Sequence, residues 1–275
     1  MNFENWLPEQ DIFLKKKEIE IHNQYHEDLA SKEITTSDLF ATETRRFRID
    51  ALNKAIIESG VNVGGKILEV GAGDGWCSAY LLREYDLEEI YTMEINESAV
   101  NKLIPKVFQV SKVNTDKATI VLGSFNDIRK ESYFDFVFVM GALHHSGNLF
   151  KTFKNIYNSL KPGGWLISQE PYMQNDVKNS FYFNREKHEV NFKGVINVMN
   201  NERTDIFYRE CEYRVAGFHA GFDFQSKRVL KPKEKKQLNW RKKILPENKD
   251  TPNNLVIFAK KPLENADQKP VTSWE

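Results

Sequence analysis

Short apolar segments alternate with longer amphipathic ones from about residue 40 onwards. The short segments are nearly continuous in apolar and β-branched residues, as expected of strands that are buried on both faces. The longer segments carry apolar residues at helical spacing. Repeated strand–helix units predict an α/β fold with a mostly parallel sheet and helices on both faces. The predicted strands are residues 66–70, Glu89–Ile95, Lys117–Leu122, Phe134–Met140, Trp165–Glu170, Phe222–Leu230 and Asn254–Ala259.

The first 40 residues are polar and charged, with scattered apolar residues at roughly helical spacing. This pattern predicts one or two amphipathic helices that pack on the main domain without a core of their own. Ser37 and Asp38 can cap a further helix, which ends near Gly60.

Later helices are marked by their stop signals. A helix from Ser98 to about Phe108 contains Pro105, which predicts a kink or an early stop there. A helix over Leu149–Leu160 is expected to end at Lys161-Pro-Gly-Gly164. One more helix is predicted from Thr204 or Asp205 to Ala216-Gly217-Phe218.

These elements divide the chain into an N-terminal helical extension or cap (1–40), an α/β domain (41–262) and a polar tail (263–275). Residues 171–203 interrupt the strand–helix rhythm, because they have no clean period and mix aromatic residues with charges and asparagines. The segment is too long for an ordinary βα loop, which predicts a lid or an acceptor-binding insertion.

Composition narrows the class of protein further. Lys plus Arg and Asp plus Glu both number 39, so the net charge favours no polyanionic partner. The two cysteines suggest neither a disulfide framework nor a zinc site. We find no basic leader followed by an apolar run and no stretch long enough to span a membrane, so a cytoplasmic protein with no membrane partner is expected.

The clearest chemical signal is a glycine-rich turn between the first predicted strand and a helix. Gly71, Gly73 and Gly75 occur at every second position, which is typical of a nucleotide-binding corner. Trp76 stands where a dinucleotide fingerprint has its last glycine or alanine. Glu94 follows about 20 residues later, where a carboxylate can accept hydrogen bonds from ribose hydroxyls.

With these features, roughly residues 40–262 resemble the class I S-adenosylmethionine-dependent methyltransferases, in particular small-molecule members of the type 11/12 kind. Ile67–Gly75 resembles the glycine-rich first motif, and Gly123-Ser124-Phe125 resembles the adenine segment, although many members have Asp where Ser124 stands. Ala142–His145, followed by Leu160–Gly164, is similar to the group that methylates small molecules.

The resemblance implies a Rossmann-like sheet of seven strands, the last one antiparallel between the fifth and sixth. It also implies S-adenosylmethionine as cofactor and S-adenosylhomocysteine as product, with Glu69 reaching the methionine ammonium directly or through water. The implied cofactor-binding residues are Glu69, Gly71, Ala72, Gly73, Asp74, Gly75, Glu94, Ile95, Ser124, Phe125, Met140 and Gly141.

The expected acceptor is a small polar molecule. A loose similarity of residues 201–218 to methyltransferases that act on sugars favours O-methylation of a sugar or polysaccharide precursor, such as a sugar nucleotide. An alcohol needs help to lose its proton, and a histidine with a pKa near working pH suits that task. The candidate catalytic residues are His144, His145, His188 and Glu170.

Several alternatives remain open at the level of sequence. They are N-methylation of a small metabolite, a regulatory subunit that binds the cofactor without turnover, and a NAD-linked oxidoreductase. Lys227–Lys243 is strongly basic and could bind nucleic acid. The strand end Gly141–His145 lacks the Asn or Asp with prolines that grips a flipped base, so no nucleic-acid partner is expected. No metal site is expected either, because the neighbouring side chains of His144 and His145 cannot easily bind one ion together.

Overall fold

The computed structural model describes residues 1–8, 16–172, 183–184, 189–190, 208–229 and 253–263. The strands are β1 (Asn2–Asn5), β2 (Gly65–Val70), β3 (Leu87–Glu94), β4 (Ala118–Leu122), β5 (Phe134–Met140), β6 (Leu160–Tyr172), β7 (Phe183–Asn184), β8 (Glu189–Val190), β9 (Asp223–Val229) and β10 (Asn253–Lys260). The α-helices are α1 (Lys16–Ser31), α2 (Thr36–Phe40), α3 (Glu43–Ser59), α4 (Trp76–Glu84), α5 (Ile104–Ser111), α6 (Leu149–Ser159) and α7 (Glu210–Ala220).

The main sheet has eight strands in the order β1-β4-β3-β2-β5-β6-β10-β9. Strand β10 is antiparallel to both of its neighbours, β6 and β9, and the other neighbouring strands pair in parallel. The expected sheet, with its last strand antiparallel between the fifth and sixth, is therefore confirmed. The sheet has one strand more than expected, which is β1. Strands β7 and β8 form a separate antiparallel pair.

Two hydrophobic cores cover the faces of the sheet. Along β5, Phe136 and Phe138 face the core that includes α3, α4 and α5, whereas Val137 and Val139 face the core that includes α6 and α7. Side chains alternate between the faces of a strand, so a strand between two helical layers must be apolar at nearly every position. This is why β5 could be recognised from its sequence.

The N-terminus departs from the prediction of helices alone. Asn2–Asn5 forms the edge strand β1, parallel to β4, before helix α1 begins at Lys16. Trp6 is buried, stacks on Tyr91 at 5.7 Å, and donates its backbone N–H to the Leu122 carbonyl. A strand of four residues is too short to display a period, and its partner lies more than a hundred residues away.

Two stop signals act differently from the prediction. Pro105 neither stops nor shortens its helix, because it lies in the first turn of α5, directly after a π-helical turn over Ala99–Leu103. A proline is tolerated in the first turn, where its missing N–H would have no intrahelical acceptor. The helix before Lys161–Gly164 ends at Ser159, but Lys161–Gly164 form no separate turn, because they already belong to β6.

Helix α7 also has different ends. It runs from Glu210 to Ala220 and ends at Gly221, whose φ is +107°. Gly217 lies inside the helix, where a Cβ atom would come within 2.3 Å of the Phe224 ring. Gly217 therefore serves close packing of α7 on β9 and does not end the helix.

Some expectations fall largely outside the described residues. They are the insertion over 171–203, the helix caps at Thr204 and Asp205, most of the basic run 227–243 and nearly all of the tail. Among the helices that the structure describes, none has the length and apolar character needed to cross a membrane.

Candidate cofactor site and active site

A cleft opens where the strand order reverses. Strands β2 and β5 are neighbours, and the chain proceeds from them towards opposite edges of the sheet. Ligands of open α/β sheets bind at this point, beyond the carboxyl ends of the strands. The cavity here has a volume of about 210 Å³. Its lining comes from α1 and from the ends of β2, β3, β4 and β5: Tyr25, His26, Val70, Gly71, Gly73, Met93, Glu94, Ile95, Asn96, Gly123, Ser124, Phe125, Gly141, Ala142 and His145.

The glycine turn shapes one wall of the cleft. At Gly71, a Cβ atom would lie 2.5 Å from the Ala142 Cβ, so a glycine is needed for the two strand ends to meet. At Gly73, whose φ is +58°, a Cβ atom would have no neighbour within 4 Å. The space above Gly73 therefore belongs to the cleft. Gly75 starts α4 instead and does not line the cavity.

Glu94 joins the glycine turn to the second strand of the domain. Its carboxylate accepts hydrogen bonds from the backbone N–H groups of Gly73 (2.8 Å), Ile95 (3.0 Å) and Asn96 (3.2 Å). A carboxylate has about four acceptor positions, so its oxygens can also accept from a ligand's hydroxyl groups. The side chain thus holds the turn in shape and faces the cleft at once.

Asn96 is a lining residue that the sequence analysis missed. Its side chain is 1% exposed, and neither amide atom has a hydrogen-bond partner among the described residues. Burial of an amide without a partner is costly, so this group is well suited to a polar ligand in the cleft. Its position two residues after Glu94 was the available signal.

The remaining walls combine flat apolar surface with a hydroxyl group. Met93, Ile95 and Phe125 line the cavity, as does Ser124. The Ser124 hydroxyl accepts a hydrogen bond from the Asn126 N–H at 3.2 Å. An aromatic ring and two aliphatic side chains around one slot suit a planar heterocycle.

The N-terminal extension forms part of the wall of the cleft. Tyr25 and His26 of α1 contribute to its lining. The helix is attached at Glu27, whose carboxylate accepts from the Ser98 hydroxyl (3.2 Å) and pairs with Lys102 (3.1 Å). The sequence predicted that the extension packs on the domain, but not that it forms part of the site.

Five of the predicted cofactor residues do not line the cavity: Glu69, Ala72, Asp74, Gly75 and Met140. Glu69 is 1% exposed and accepts hydrogen bonds from the backbone N–H and the hydroxyl of Ser78. Burial raises the pKa of the Glu69 carboxyl to about 8, although the Ser78 hydrogen bonds act in the opposite direction. Asp74 pairs with Arg45. Direct cofactor contacts by these residues remain predictions.

The candidate bases occupy different environments. His145 lines the cleft, whereas His144 is 3% exposed and its Nδ1 lies 3.0 Å from Glu170 Oε2. Glu170 is fully buried and also accepts from the N–H groups of Ala142 and Leu143 (both 3.0 Å) and from the Ser168 hydroxyl (3.1 Å). Glu170 and His144 thus hold the loop that carries His145. His188 lies outside the described residues.

Residues 68–168, which include all of the strand ends above, match the sequence profile of a family described as "Methyltransferase domain". The chain carries a class I S-adenosylmethionine-dependent methyltransferase domain. Within the described residues, no group of three or more His, Cys, Asp or Glu side chains is placed to hold a metal ion.

Comparison with known proteins agrees on the domain. The chain is 25% identical to the malonyl-[acyl-carrier protein] O-methyltransferase of Priestia megaterium over 101 residues, which are 37% of this chain and 35% of that protein. The match thus spans about a third of the curated relative's length.

Two solved structures share the fold. One is a putative sarcosine dimethylglycine methyltransferase from Galdieria sulphuraria (TM-score 0.61, 15% identity, covering 88% of this chain and 98% of that one). The other is Haemonchus contortus phosphoethanolamine N-methyltransferase 2 in complex with S-adenosyl-L-methionine (TM-score 0.55, 15% identity, covering 82% and 58%).

S-adenosylmethionine is the cofactor of this class of methyltransferase domain, and the chemistry of the cleft fits it. Glu94 can accept from the ribose hydroxyls, and the apolar slot suits adenine. The buried Asn96 amide and the open space above Gly73 provide polar contacts and room for the rest of the molecule.

Proposed function

We propose that the protein transfers a methyl group from S-adenosylmethionine to a small polar acceptor at the carboxyl ends of β5 and β6. One observation carries the proposal. The cleft that suits the cofactor is lined by His145 after β5 as well as by Glu94 of β3, two strands away in the sheet, so a histidine imidazole borders the cofactor cleft.

The bound cofactor supplies an electrophilic methyl group on a sulfonium. The chain's own contribution is mainly to position the reactants, which lowers barriers by about 7–11 kcal/mol in favourable cases. Glu94 and Asn96 orient the nucleoside part, and the side chains of Met93, Ile95 and Phe125 exclude water from the slot. Helix α1 covers the cleft through Tyr25 and His26.

His145 is the candidate general base. It would take the proton of an acceptor hydroxyl at an imidazole nitrogen as the oxygen attacks. His144 and Glu170 act as positioning residues, because their hydrogen bonds hold the loop over residues 142–145 in place. The ring centroids of the two histidines are 4.1 Å apart, so a displacement of one ring displaces the other.

The more specific proposal is O-methylation of a sugar or polysaccharide precursor. It is supported by the similarity of residues 201–218 to sugar methyltransferases and by the presence of a histidine in the cleft. N-methylation is the second candidate, because one protein of the same fold is named a phosphoethanolamine N-methyltransferase and another a putative sarcosine dimethylglycine methyltransferase. An amine needs less help from a base than an alcohol.

The test uses labelled S-adenosylmethionine with sugar nucleotides, other sugars and small amines. For a hydroxyl acceptor, His145→Ala should lower kcat by about 100-fold or more, with cofactor affinity unchanged within a few-fold. The control is His219→Ala, since His219 is an exposed histidine on α7. For an amine acceptor, the loss should stay below about tenfold. Tight cofactor binding with no transfer to any acceptor would instead favour a regulatory subunit without turnover.

A further inference from the structure

A second, smaller cavity lies on the other side of Gly141 from the cofactor cleft. Its volume is about 80 Å³, and Gly141 lines both cavities. The other lining residues that matter here are Thr44 and Arg48 of α3, Gln169 of β6 and Asn254 of β10. A cavity of this size accommodates a functional group, not a whole metabolite, since one water occupies about 30 Å³ in the liquid.

Gly141 lines both cavities and so lies at the boundary between them. Its φ is +81°, and a Cβ atom built there would point at the Arg48 guanidinium, 3.7 Å from Nη2 and 3.9 Å from Cζ. The guanidinium therefore lies close to the residue that follows β5, at the strand end proposed above for the methyl acceptor. Because residue 141 is a glycine, it has no side chain between the Arg48 guanidinium and the cofactor cleft.

The small cavity contains hydrogen-bond donors that suit an anion. Arg48 presents a planar fork of donors that matches a carboxylate. Thr44 lies in the first turn of α3, a helix of 17 residues, where the helix dipole is positive. Glu170 also lines the cavity, but its carboxylate already accepts hydrogen bonds from two backbone N–H groups, Ser168 and His144.

A buried polar group beside Arg48 points to a ligand as well. Gln169 is 6% exposed, and its Oε1 has no hydrogen-bond partner among the residues that the structure describes. Gln169 pairs with Met140 across β5 and β6, which puts it beside Gly141 at the same edge of the sheet. An acceptor molecule with a hydroxyl or amine group can donate to this oxygen.

We infer that this cavity is the acceptor subsite, and that the acceptor is a small molecule with a carboxylate and a neighbouring hydroxyl or amine group. Arg48 holds the carboxylate, Gln169 accepts from the donor group, and the methyl-accepting atom reaches past Gly141 into the cofactor cleft. The inference rests on the proposed methyl transfer. Among sugar acceptors it selects acidic sugars.

The test measures binding, so it does not depend on turnover. The full chain, saturated with S-adenosylhomocysteine, is titrated with glycolate, with its neutral counterpart glycolamide and with inorganic phosphate, followed by NMR or calorimetry. Glycolate should bind at least tenfold more tightly than glycolamide or phosphate. Equal binding of glycolate and glycolamide, tighter binding of phosphate, or no binding of glycolate would overturn the inference without any variant.

Arg48→Gln should weaken glycolate binding at least tenfold, and Arg48→Lys, which keeps the charge but not the fork, should weaken it less. The matched control is Arg46→Gln, since Arg46 is an exposed arginine two residues earlier on α3. Unchanged cofactor affinity in Arg48→Gln establishes that the variant is folded. Equal effects of Arg48→Gln and Arg46→Gln would refute the role of Arg48.

Methyl transfer assayed in parallel separates this inference from the proposed function. Glycolate binding that depends on Arg48, without methyl transfer to any acceptor, would support the carboxylate subsite and contradict the enzyme. Methyl transfer to neutral acceptors at the same rate in Arg48→Gln and wild type would support the enzyme and refute the subsite.

Discussion

The two sides of the cleft are assembled in different ways. The cofactor side uses short segments at the carboxyl ends of β2, β3 and β4, namely residues 71–73, 94–96 and 123–125. The acceptor side brings together Arg48 from a helix with Gly141 and Gln169 from two strand ends. The first arrangement follows from strand order, because parallel strands end at the same edge. The second depends on which helix lies across that edge.

Three buried glutamates illustrate the same difference. Glu94 and Glu69 lie on neighbouring strands, but Glu94 faces the cleft while Glu69 is enclosed with Ser78 beneath α4. Glu170, on the acceptor side, has its carboxylate occupied by the loop after β5. Replacing Glu94 should therefore change cofactor affinity, replacing Glu69 should change the pH dependence of stability, and replacing Glu170 should lower stability itself.

The largest expected effect is on the acceptor side. Glu170→Ala leaves the backbone N–H groups of Ala142 and Leu143 and the His144 imidazole without their acceptor, and such groups are costly when buried. We expect the free energy of unfolding to fall by about 3–5 kcal/mol, measured by urea denaturation. Glu88→Ala, at an exposed position of β3, is the control. A loss as small as the control's would show that the loop is held by other contacts.

On the cofactor side, Glu94→Gln should weaken binding of S-adenosylmethionine roughly 100-fold, or about 2.7 kcal/mol. An amide replaces a charged acceptor of three backbone N–H groups, and its own NH₂ group cannot accept. Calorimetry measures the affinity, with Glu97→Gln as the exposed control. Equal affinity in the two variants would exclude Glu94 from the cofactor site.

Glu69 should affect the pH dependence of stability. Its pKa is about 8 in the folded chain against an ordinary value of 4.5, so the folded state keeps a proton that the unfolded state loses. Stability from this group is complete below pH 4.5 and is lost as the pH rises towards 8. Glu69→Gln should therefore gain about 3–4 kcal/mol relative to wild type between pH 5 and pH 8.

Urea unfolding at several pH values measures this change, and cofactor affinity measured alongside should change far less than in Glu94→Gln. A pH dependence identical to that of wild type would mean that Glu69 is ionised in the folded chain.

The smallest effects are expected from substitutions of two glycines, one on each side, which distinguish the cofactor side from the acceptor side. Gly73→Ala and Gly141→Ala both place a side chain at positive φ, at a cost of order 1 kcal/mol. Gly73→Ala should weaken cofactor binding about tenfold, because its Cβ enters the cleft. Gly141→Ala should raise KM for the acceptor by a similar factor and change cofactor affinity less. The opposite pattern would reverse the assignment of the two cavities.

The cofactor side could be predicted from sequence because its signals are local. The strand, glycine turn and helix occur in succession, and Glu94 follows at a regular distance on the next strand. The acceptor side gave no such signal. In the sequence, Gln169 is an ordinary polar residue near a strand end, and Arg48 is one of several arginines on a predicted amphipathic helix.

Local pattern by itself determined the order of strands and helices. The family resemblance of the sequence implied the antiparallel last strand and the methyl donor. Tertiary structure alone decided that β1 joins the sheet, that Gly217 is a packing glycine, and that α1 covers the cofactor cleft. It also separated Glu94 from Glu69. The physical reason is that periodicity and capping act between residues close in the chain, whereas burial and hydrogen-bond partners are set by segments that meet only after folding.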